Sequence, residues 1–102
     1  MYRARDRLEH SEWLKELEAA GTDLDLSQAV QSTATDLFLS HLPDEERSKP
    51  AVAAASLYAA ALIGGEQRSQ PAVADCFGVS RLAIQSRWKE LLEAAGFRAP
   101  SW

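Results

Sequence analysis

The sequence predicts an all-α protein of five helices, with the third helix at the centre, on the basis of three observations. Apolar residues recur with the 3.6-residue period of a helix over 27–42 and 80–95. The stretch from Pro50 to Ile63 contains no charged residue, and a helix that is apolar on every side is normally buried. Its length of about 14 residues is too short for a bilayer, which requires ~20. No segment of the sequence shows the two-residue alternation of a strand.

Length and composition indicate one domain, residues 1–102, with a flexible arm or helix start over 1–7 and a tail over 97–102. The chain is 46% hydrophobic. Its formal net charge of -4 argues against a general polyanion binder. Its single cysteine excludes an internal disulfide and fits a reducing compartment. The N-terminus lacks the apolar run of a signal peptide, so we expect a cytoplasmic protein that contacts no membrane.

The first two helices are predicted over Leu8–Ala20 and Ser27–Leu42. Gly21 is a natural C-terminal stop for the first helix, and Pro43 ends the second. Ser27 can cap the second helix at its N-terminus. The apolar face of the second helix consists of Val30, Ala34, Leu37, Phe38 and Leu42.

The central helix, here called the hub, is predicted within Lys49 to Gly65, KPAVAAASLYAAALIGG. Ser48 is a suitable N-cap, and Pro50 falls in the first turn, where its missing N–H is harmless. Gly64 and Gly65 end the helix. The many alanines let neighbouring helices approach closely, which suits a helix at the centre of a small domain.

Two further helices follow the hub. The fourth is short, capped by Ser69 or Gln70, and ends at Phe77–Gly78. The fifth is capped by Ser80 and extends to about Ala95.

Gln70 to Lys89 has the pattern of a helix-turn-helix motif. Ala74 is small enough for a close helix crossing, and Gly78 tolerates the positive φ of the turn. Four apolar residues have the spacing needed to fill the angle between the helices: Val73, Phe77, Val79 and Ile84.

In such a motif the second helix enters the major groove of DNA by its N-terminal residues. Arginine can pair with guanine and glutamine with adenine, while Leu82 could touch a thymine methyl group. Five side chains are better placed for phosphates, namely Arg68, Ser69, Gln70, Arg87 and Lys89. The full candidate set is Arg68, Ser69, Gln70, Ser80, Arg81, Leu82, Gln85, Ser86, Arg87 and Lys89.

The segment SKPAVAAASLYAAALIGGEQRSQPAVADCFGVSRLAIQSRWKEL resembles the second cyclin-like repeat of archaeal transcription factor B, the relative of transcription factor IIB. The resemblance implies a five-helix cyclin-like fold whose C-terminal helix-turn-helix grips DNA beside the TATA box, next to the TATA-binding protein. The matching motifs are Lys49-Pro50, Ala53 to Ala60, Arg68-Ser69-Gln70, Val73-Ala74, Gly78-Val79-Ser80 and Ile84 to Leu91.

Two departures from the family pattern limit what the resemblance implies. The residue after Ile84 is usually a DNA-reading arginine in the family, but here it is Gln85. A complete factor also has a zinc ribbon and two repeats, whereas this sequence has one cysteine and one repeat. We therefore expect a stand-alone derivative that binds no zinc in the family's manner.

The leading hypothesis is a small transcription regulator that binds duplex DNA through residues 68–89, possessing no enzymatic activity and no cofactor. That segment has four cations and one acid, a local charge of +3. A homodimer on two half-sites is plausible. The alternative is a protein-interaction module that contacts the basal transcription machinery, such as the TATA-binding protein, without reading DNA; a general cyclin-like adaptor is a third, weaker option.

Three other residues, Cys76, His10 and His41, are of types that can carry redox or metal chemistry. Cys76 lies on an apolar face and is expected in the core, with a redox switch as the less favoured alternative. His10 and His41 have no further ligands at metal-binding spacing, so no metal site is expected.

Overall fold

The structure is a computed structural model that describes residues 10–97, and within this range it contains helices and no strand. This confirms the all-α fold class. The predicted arm over 1–7 and most of the tail lie outside the described residues. None of the helices in 10–97 is long and apolar enough to cross a membrane. The helices are α1 (Ser11–Asp23), α2 (Gln28–Ser40), α3 (Lys49–Ile63), α4 (Gln70–Phe77), α5 (Arg81–Gln85) and α6 (Trp88–Ala94), with a 3-10 turn over Glu46–Ser48.

The hub, α3, is central as predicted. Every residue from Val52 to Ala61 is buried, and α3 contacts each of the other five helices. Tyr58 on α3 meets Trp88 on α6 edge to face, with ring centroids 5.5 Å apart. Both aromatic side chains are therefore part of the core.

Gly21 does not end α1, so that prediction was wrong. The helix continues to Asp23, and the chain turns at Asp25, whose φ is 56°. The N–H of Leu26 donates to the carbonyl of Gly21 at 2.8 Å, the pattern of a Schellman motif. Gly21 lies within α1 and is buried, because α2 packs closely against the backbone of α1 at this position. A Cβ there would come within 2.6 Å of the Gln31 side chain.

Three of the four predicted serine caps are confirmed. The hydroxyl oxygens of Ser27, Ser69 and Ser80 accept hydrogen bonds from backbone N–H groups three residues onward. Ser48 was predicted wrongly, and its side chain makes no capping bond. It belongs to the 3-10 turn and has helical φ and ψ of -87° and -11°, whereas a capping side chain needs an extended residue. Pro50 lies in the first turn of α3, as expected.

The segment predicted as the fifth helix is divided into α5 and α6. The N–H of Arg87 donates to the carbonyl of Ile84, three residues back, at 3.0 Å, which interrupts the four-residue ladder of an α-helix. Ile84 and Trp88 on either side are both fully buried. The interruption therefore leaves the core intact but divides the segment into two short helices.

We expect Ala54→Leu and Ala59→Leu each to destabilise the protein by about 1–3 kcal/mol, because both alanines are fully buried between close helices. Urea denaturation measures this free energy of unfolding. Ala29→Leu, on the exposed face of α2, is the matched control and should change stability by less than about 0.5 kcal/mol. Unchanged stability in both hub variants would show that α3 is not closely packed.

Candidate nucleic-acid interface

Residues 69–86 form two short helices, α4 and α5, joined by a tight turn, and are here called the α4–α5 unit. Gly78 ends α4 in the left-handed region, with φ of 65° and ψ of 30°. The N–H of Val79 then donates to the carbonyl of Ala74 at 3.2 Å. A positive φ is strained for residues with a Cβ, so this turn depends on Gly78. Gly78 thus adopts the positive φ that was predicted for the turn.

The inner side of the α4–α5 unit is apolar. Val73, Ala74 and Ile84 are buried, and Phe77 and Val79 are half-buried against the same core. Val73, Phe77, Val79 and Ile84 were predicted to fill the angle between the helices, and Ala74 was predicted to allow their close crossing. This packing fixes α5 against the hub and leaves its opposite side facing solvent.

The outer side of α5 carries Arg81, Leu82, Gln85 and the following Ser86, all exposed. Leu82 is 65% exposed, which is unusual for a large apolar side chain. Arg81 and Gln85 are four residues apart and so lie on the same face of the helix. The outer side of α5 therefore combines two side chains suited to base recognition with one apolar contact.

Gln70, the first residue of α4, joins Arg81 and Gln85 in a polar triad. Gln70 Nε2 donates to Gln85 Oε1 at 2.7 Å, and Arg81 Nη1 donates to Gln70 Oε1 at 3.4 Å. Gln70 was predicted to be a phosphate contact. The structure places it beside the two candidate base-reading side chains, a relation that residue spacing across two helices does not reveal.

Arg68 has a structural role that the sequence analysis missed. Nε donates to the carbonyl of Leu24 at 2.9 Å, and Nη2 to that of Asp25 at 3.2 Å. Nη1 donates to the carbonyls of Glu66 and Gln67 at 2.8 and 3.2 Å. All three guanidinium nitrogens thus donate to backbone carbonyls, which favours a structural role over the predicted phosphate contact by Arg68.

Glu66 reinforces the same junction. Its Oε1 accepts a 2.8 Å hydrogen bond from the N–H of Ser27, at the start of α2. Hydrogen bonds from the Ser27 hydroxyl and backbone, with the nearby Arg68 charge, hold the pKa of Glu66 below its ordinary value of 4.5. Glu66 and Arg68 together tie the α1–α2 connection to the α3–α4 connection. No local sequence pattern predicts contacts between residues so far apart in the chain.

The serine hydroxyls of the candidate set are already used within the protein. Ser69 and Ser80 accept capping bonds of 3.2 and 3.3 Å, which leaves each O–H available as a donor to an outside acceptor. The Ser86 hydroxyl donates to the carbonyl of Ala83 at 3.3 Å. Ser69 and Ser80 therefore suit a phosphate contact better than Ser86 does.

Arg87 and Lys89 belong to the region after the helix break and are half-buried. Arg87 Nη1 donates to the Ser86 hydroxyl at 3.3 Å, and Lys89 Nζ lies 5.5 Å from the centre of the Trp88 ring. The fifth helix was predicted to continue without a break from Ser80 to about Ala95, which would place Arg81 and Lys89 on one helix. That continuation was wrong, because α5 ends at Gln85.

Cys76 is half-buried, and its thiol donates to the carbonyl of Ala72 at 3.5 Å. Burial, followed by the negative charges of Asp23 and Asp75, raises the pKa of this thiol. Because the thiolate is the reactive form, a raised pKa disfavours a redox switch at Cys76. Within residues 10–97, no three His, Cys, Asp or Glu side chains are grouped so as to hold a metal ion.

Comparison with known proteins places this fold in a family. The family model described as "Transcription factor TFIIB repeat" matches residues 9–94. The chain belongs to this family. The resemblance drawn from residues 49–91 is confirmed, and the match extends it across α1 and α2, where the sequence analysis found no motif.

Several relatives are named as transcription initiation factors. Transcription initiation factor IIB of Methanosphaerula palustris is 39% identical over 73 residues, 69% of this chain and 22% of that protein. Transcription initiation factor IIB 1 of Thermoplasma volcanium is 55% identical over 42 residues, 41% of this chain and 14% of that protein. Transcription initiation factor IIB of Haloarcula vallismortis is 35% identical over 78 residues, 74% of this chain and 68% of that sequence. The chain thus spans about a fifth of the length of the first of these relatives.

We expect Arg68→Ala to lower the free energy of unfolding by about 1–3 kcal/mol, because it removes charge-assisted hydrogen bonds to four backbone carbonyls. Urea denaturation checks this value. Arg81→Ala removes the same charge from an exposed position and should change stability by less than about 0.5 kcal/mol. Equal effects of the two changes would contradict a structural role for Arg68.

Glu66→Gln should lower the melting temperature at pH 7, because the folded protein favours the charged form of Glu66. A lowered pKa contributes stability above the ordinary value of 4.5, and that contribution disappears as pH falls through the folded value. The difference from wild type should therefore narrow below pH 4.5. Circular dichroism melts between pH 7 and pH 3 measure it, with Glu93→Gln on α6 as control. A constant difference across this range would contradict the assignment.

Proposed function

We propose that this protein is a small transcription regulator that binds duplex DNA through the α4–α5 unit. One observation carries the proposal. Arg81, Leu82 and Gln85 face solvent together on α5, while the buried side of the unit holds that helix rigidly against the hub. Membership in the family of TFIIB repeats supports a role in transcription.

The exposed groups match the chemistry of the major groove. Arg81 can donate two hydrogen bonds to guanine, Gln85 can pair with adenine, and Leu82 can contact a thymine methyl group. The free O–H groups of Ser69 and Ser80 suit phosphate oxygens, which orient the protein without specifying sequence. The proposed interface therefore has both kinds of contact that a specific DNA-binding protein requires.

The charge around the unit is modest. Residues 69–89 contain three cations, Arg81, Arg87 and Lys89, and one acid, Asp75, which gives +2 within a chain of -4. Few phosphate contacts mean weak non-specific binding, so base contacts must contribute a large share of the affinity. A homodimer on two half-sites would double these contacts, and the stoichiometry of the DNA complex tests it.

A second candidate function is binding to another protein of the basal transcription machinery, with the TATA-binding protein as the partner expected from the resemblance. The relatives are named as initiation factors, and a 65% exposed leucine suits a protein interface as well as a thymine methyl group. In this alternative Leu82 matters and Gln85 does not, which separates it from DNA recognition.

Selection from a pool of random duplexes, followed by fluorescence anisotropy on the selected sequence, tests the proposal. Arg81→Ala with Gln85→Ala should weaken binding at least about tenfold on that sequence and less on unrelated duplexes, because each base contact contributes ~1–3 kcal/mol. Arg47→Ala with Gln28→Ala is the matched control, since it removes the same two side-chain types from exposed positions on other elements.

Salt titrations of the same complexes separate phosphate contacts from base contacts. Loss of a phosphate contact in Arg87→Ala or Lys89→Ala would flatten the salt dependence, whereas the Arg81 and Gln85 changes should alter sequence preference. Failure of wild type to bind any duplex, even at low salt, would refute the DNA-binding role. Equal weakening on all sequences by the double variant would refute base reading by Arg81 and Gln85.

A further inference from the structure

The polar triad of Gln70, Arg81 and Gln85 joins the two helices of the α4–α5 unit on their exposed side. Gln70 is the first residue of α4, while Arg81 and Gln85 are the first and last residues of α5. A single side chain from the first helix thus contacts both candidate base-reading residues of the second. Long polar side chains on a surface are normally mobile, so two shared contacts restrict where they point.

The direction of every hydrogen bond in the triad follows from Arg81. A guanidinium group only donates, so the Gln70 atom that faces it must be the acceptor Oε1. Gln70 Nε2 then points to Gln85, and the Gln85 atom that receives this bond at 2.7 Å must be Oε1. The amide of Gln85 is therefore oriented, with both N–H groups of Nε2 unused by the triad.

We propose that Gln70 is a positioning residue that fixes the sequence preference of the DNA site, with guanine opposite Arg81 and adenine opposite Gln85. This inference rests on the proposed DNA-binding function. It assigns Gln70 a role that differs from the phosphate contact predicted for it, since Gln70 acts through its two neighbours.

The oriented amide of Gln85 complements one base edge. Nε2 can donate to adenine N7, while the second lone pair of Oε1 accepts from adenine N6. Guanine would place its O6 acceptor against Oε1, which disfavours it at this position. Arg81 commits one N–H to Gln70, in a 3.4 Å contact, and keeps four others for the two acceptors of guanine. Without Gln70 the Gln85 amide can rotate, and part of this discrimination is lost.

Preorganisation also affects affinity. Immobilising a flexible side chain at an interface opposes binding, and the triad restricts three such side chains before DNA arrives. Removing Gln70 should therefore lower affinity for the selected duplex, although Gln70 itself need not touch a base. The number of phosphate contacts, and with it the salt dependence, should stay the same.

The first test compares wild type with Gln70→Ala on the selected duplex and on duplexes changed at the two base positions assigned to Arg81 and Gln85. We expect the variant to lose about tenfold in discrimination at each position, the size of one good base contact, with an unchanged slope of affinity against salt. Circular dichroism melts confirm that the variant is folded.

Gln70→Glu gives the sharper second test. A carboxylate only accepts, so Gln85 must turn its Nε2 inward and present Oε1 to the groove. We expect the preferred base at the Gln85 position to shift from adenine towards cytosine, whose N4 is a donor. Gln28→Glu makes the same charge change on α2 and should leave base preference as in wild type.

Side-chain amide NMR of the free protein provides a readout independent of DNA. The Nε2 resonances of Gln85 should move in Gln70→Ala and stay unchanged in Gln28→Glu. Unmoved resonances, or full base discrimination in folded Gln70→Ala, would overturn the positioning role while the DNA-binding function stands. Absence of any duplex binding by wild type would overturn both.

Discussion

Close packing around the alanines of α3 is the constraint on which the rest of the structure depends. Ten consecutive residues of this helix are buried, and it contacts every other helix. Small side chains let the surrounding helices approach its backbone, while Tyr58 and Trp88 fill the space next to α6. Since the inner side of the α4–α5 unit packs into the same core, the position of its outer side follows from the hub.

Four of the helices described here pair their last backbone carbonyl groups in the same way. At the ends of α1, α3, α4 and α6, paired hydrogen bonds from two consecutive backbone N–H groups form Schellman motifs. Glycine occupies the left-handed position in three of them, and Asp25 occupies it in α1. The carbonyl of Asp25 is also an acceptor for Arg68, so the strained residue lies where α1–α2 and α3–α4 are tied together.

The sequence was sufficient for features that depend on local chemistry. Charge-free composition located the hub, and serine caps and Gly78 located the α4–α5 unit, because capping and turn geometry are decided by neighbouring residues. It was insufficient where distant segments meet. Gly21 is small because α2 lies close, Arg68 binds carbonyls more than 40 residues away, and Gln70 meets Gln85 across a turn. The break before Arg87 was also missed, since a 3.6-residue period survives a one-turn irregularity.

Under the proposed function, the shortness of α5 limits how many base pairs one chain can read. Five helical residues extend about 7.5 Å, roughly two base pairs at 3.4 Å each. Two base pairs carry about four bits, and such a sequence recurs by chance about once in every 16 positions of a genome. Under the proposed function, selectivity must therefore be shared with a second copy or with a neighbouring protein on the same DNA. The α4–α5 unit would recognise one short part of a longer DNA site, and the second molecule would recognise the rest.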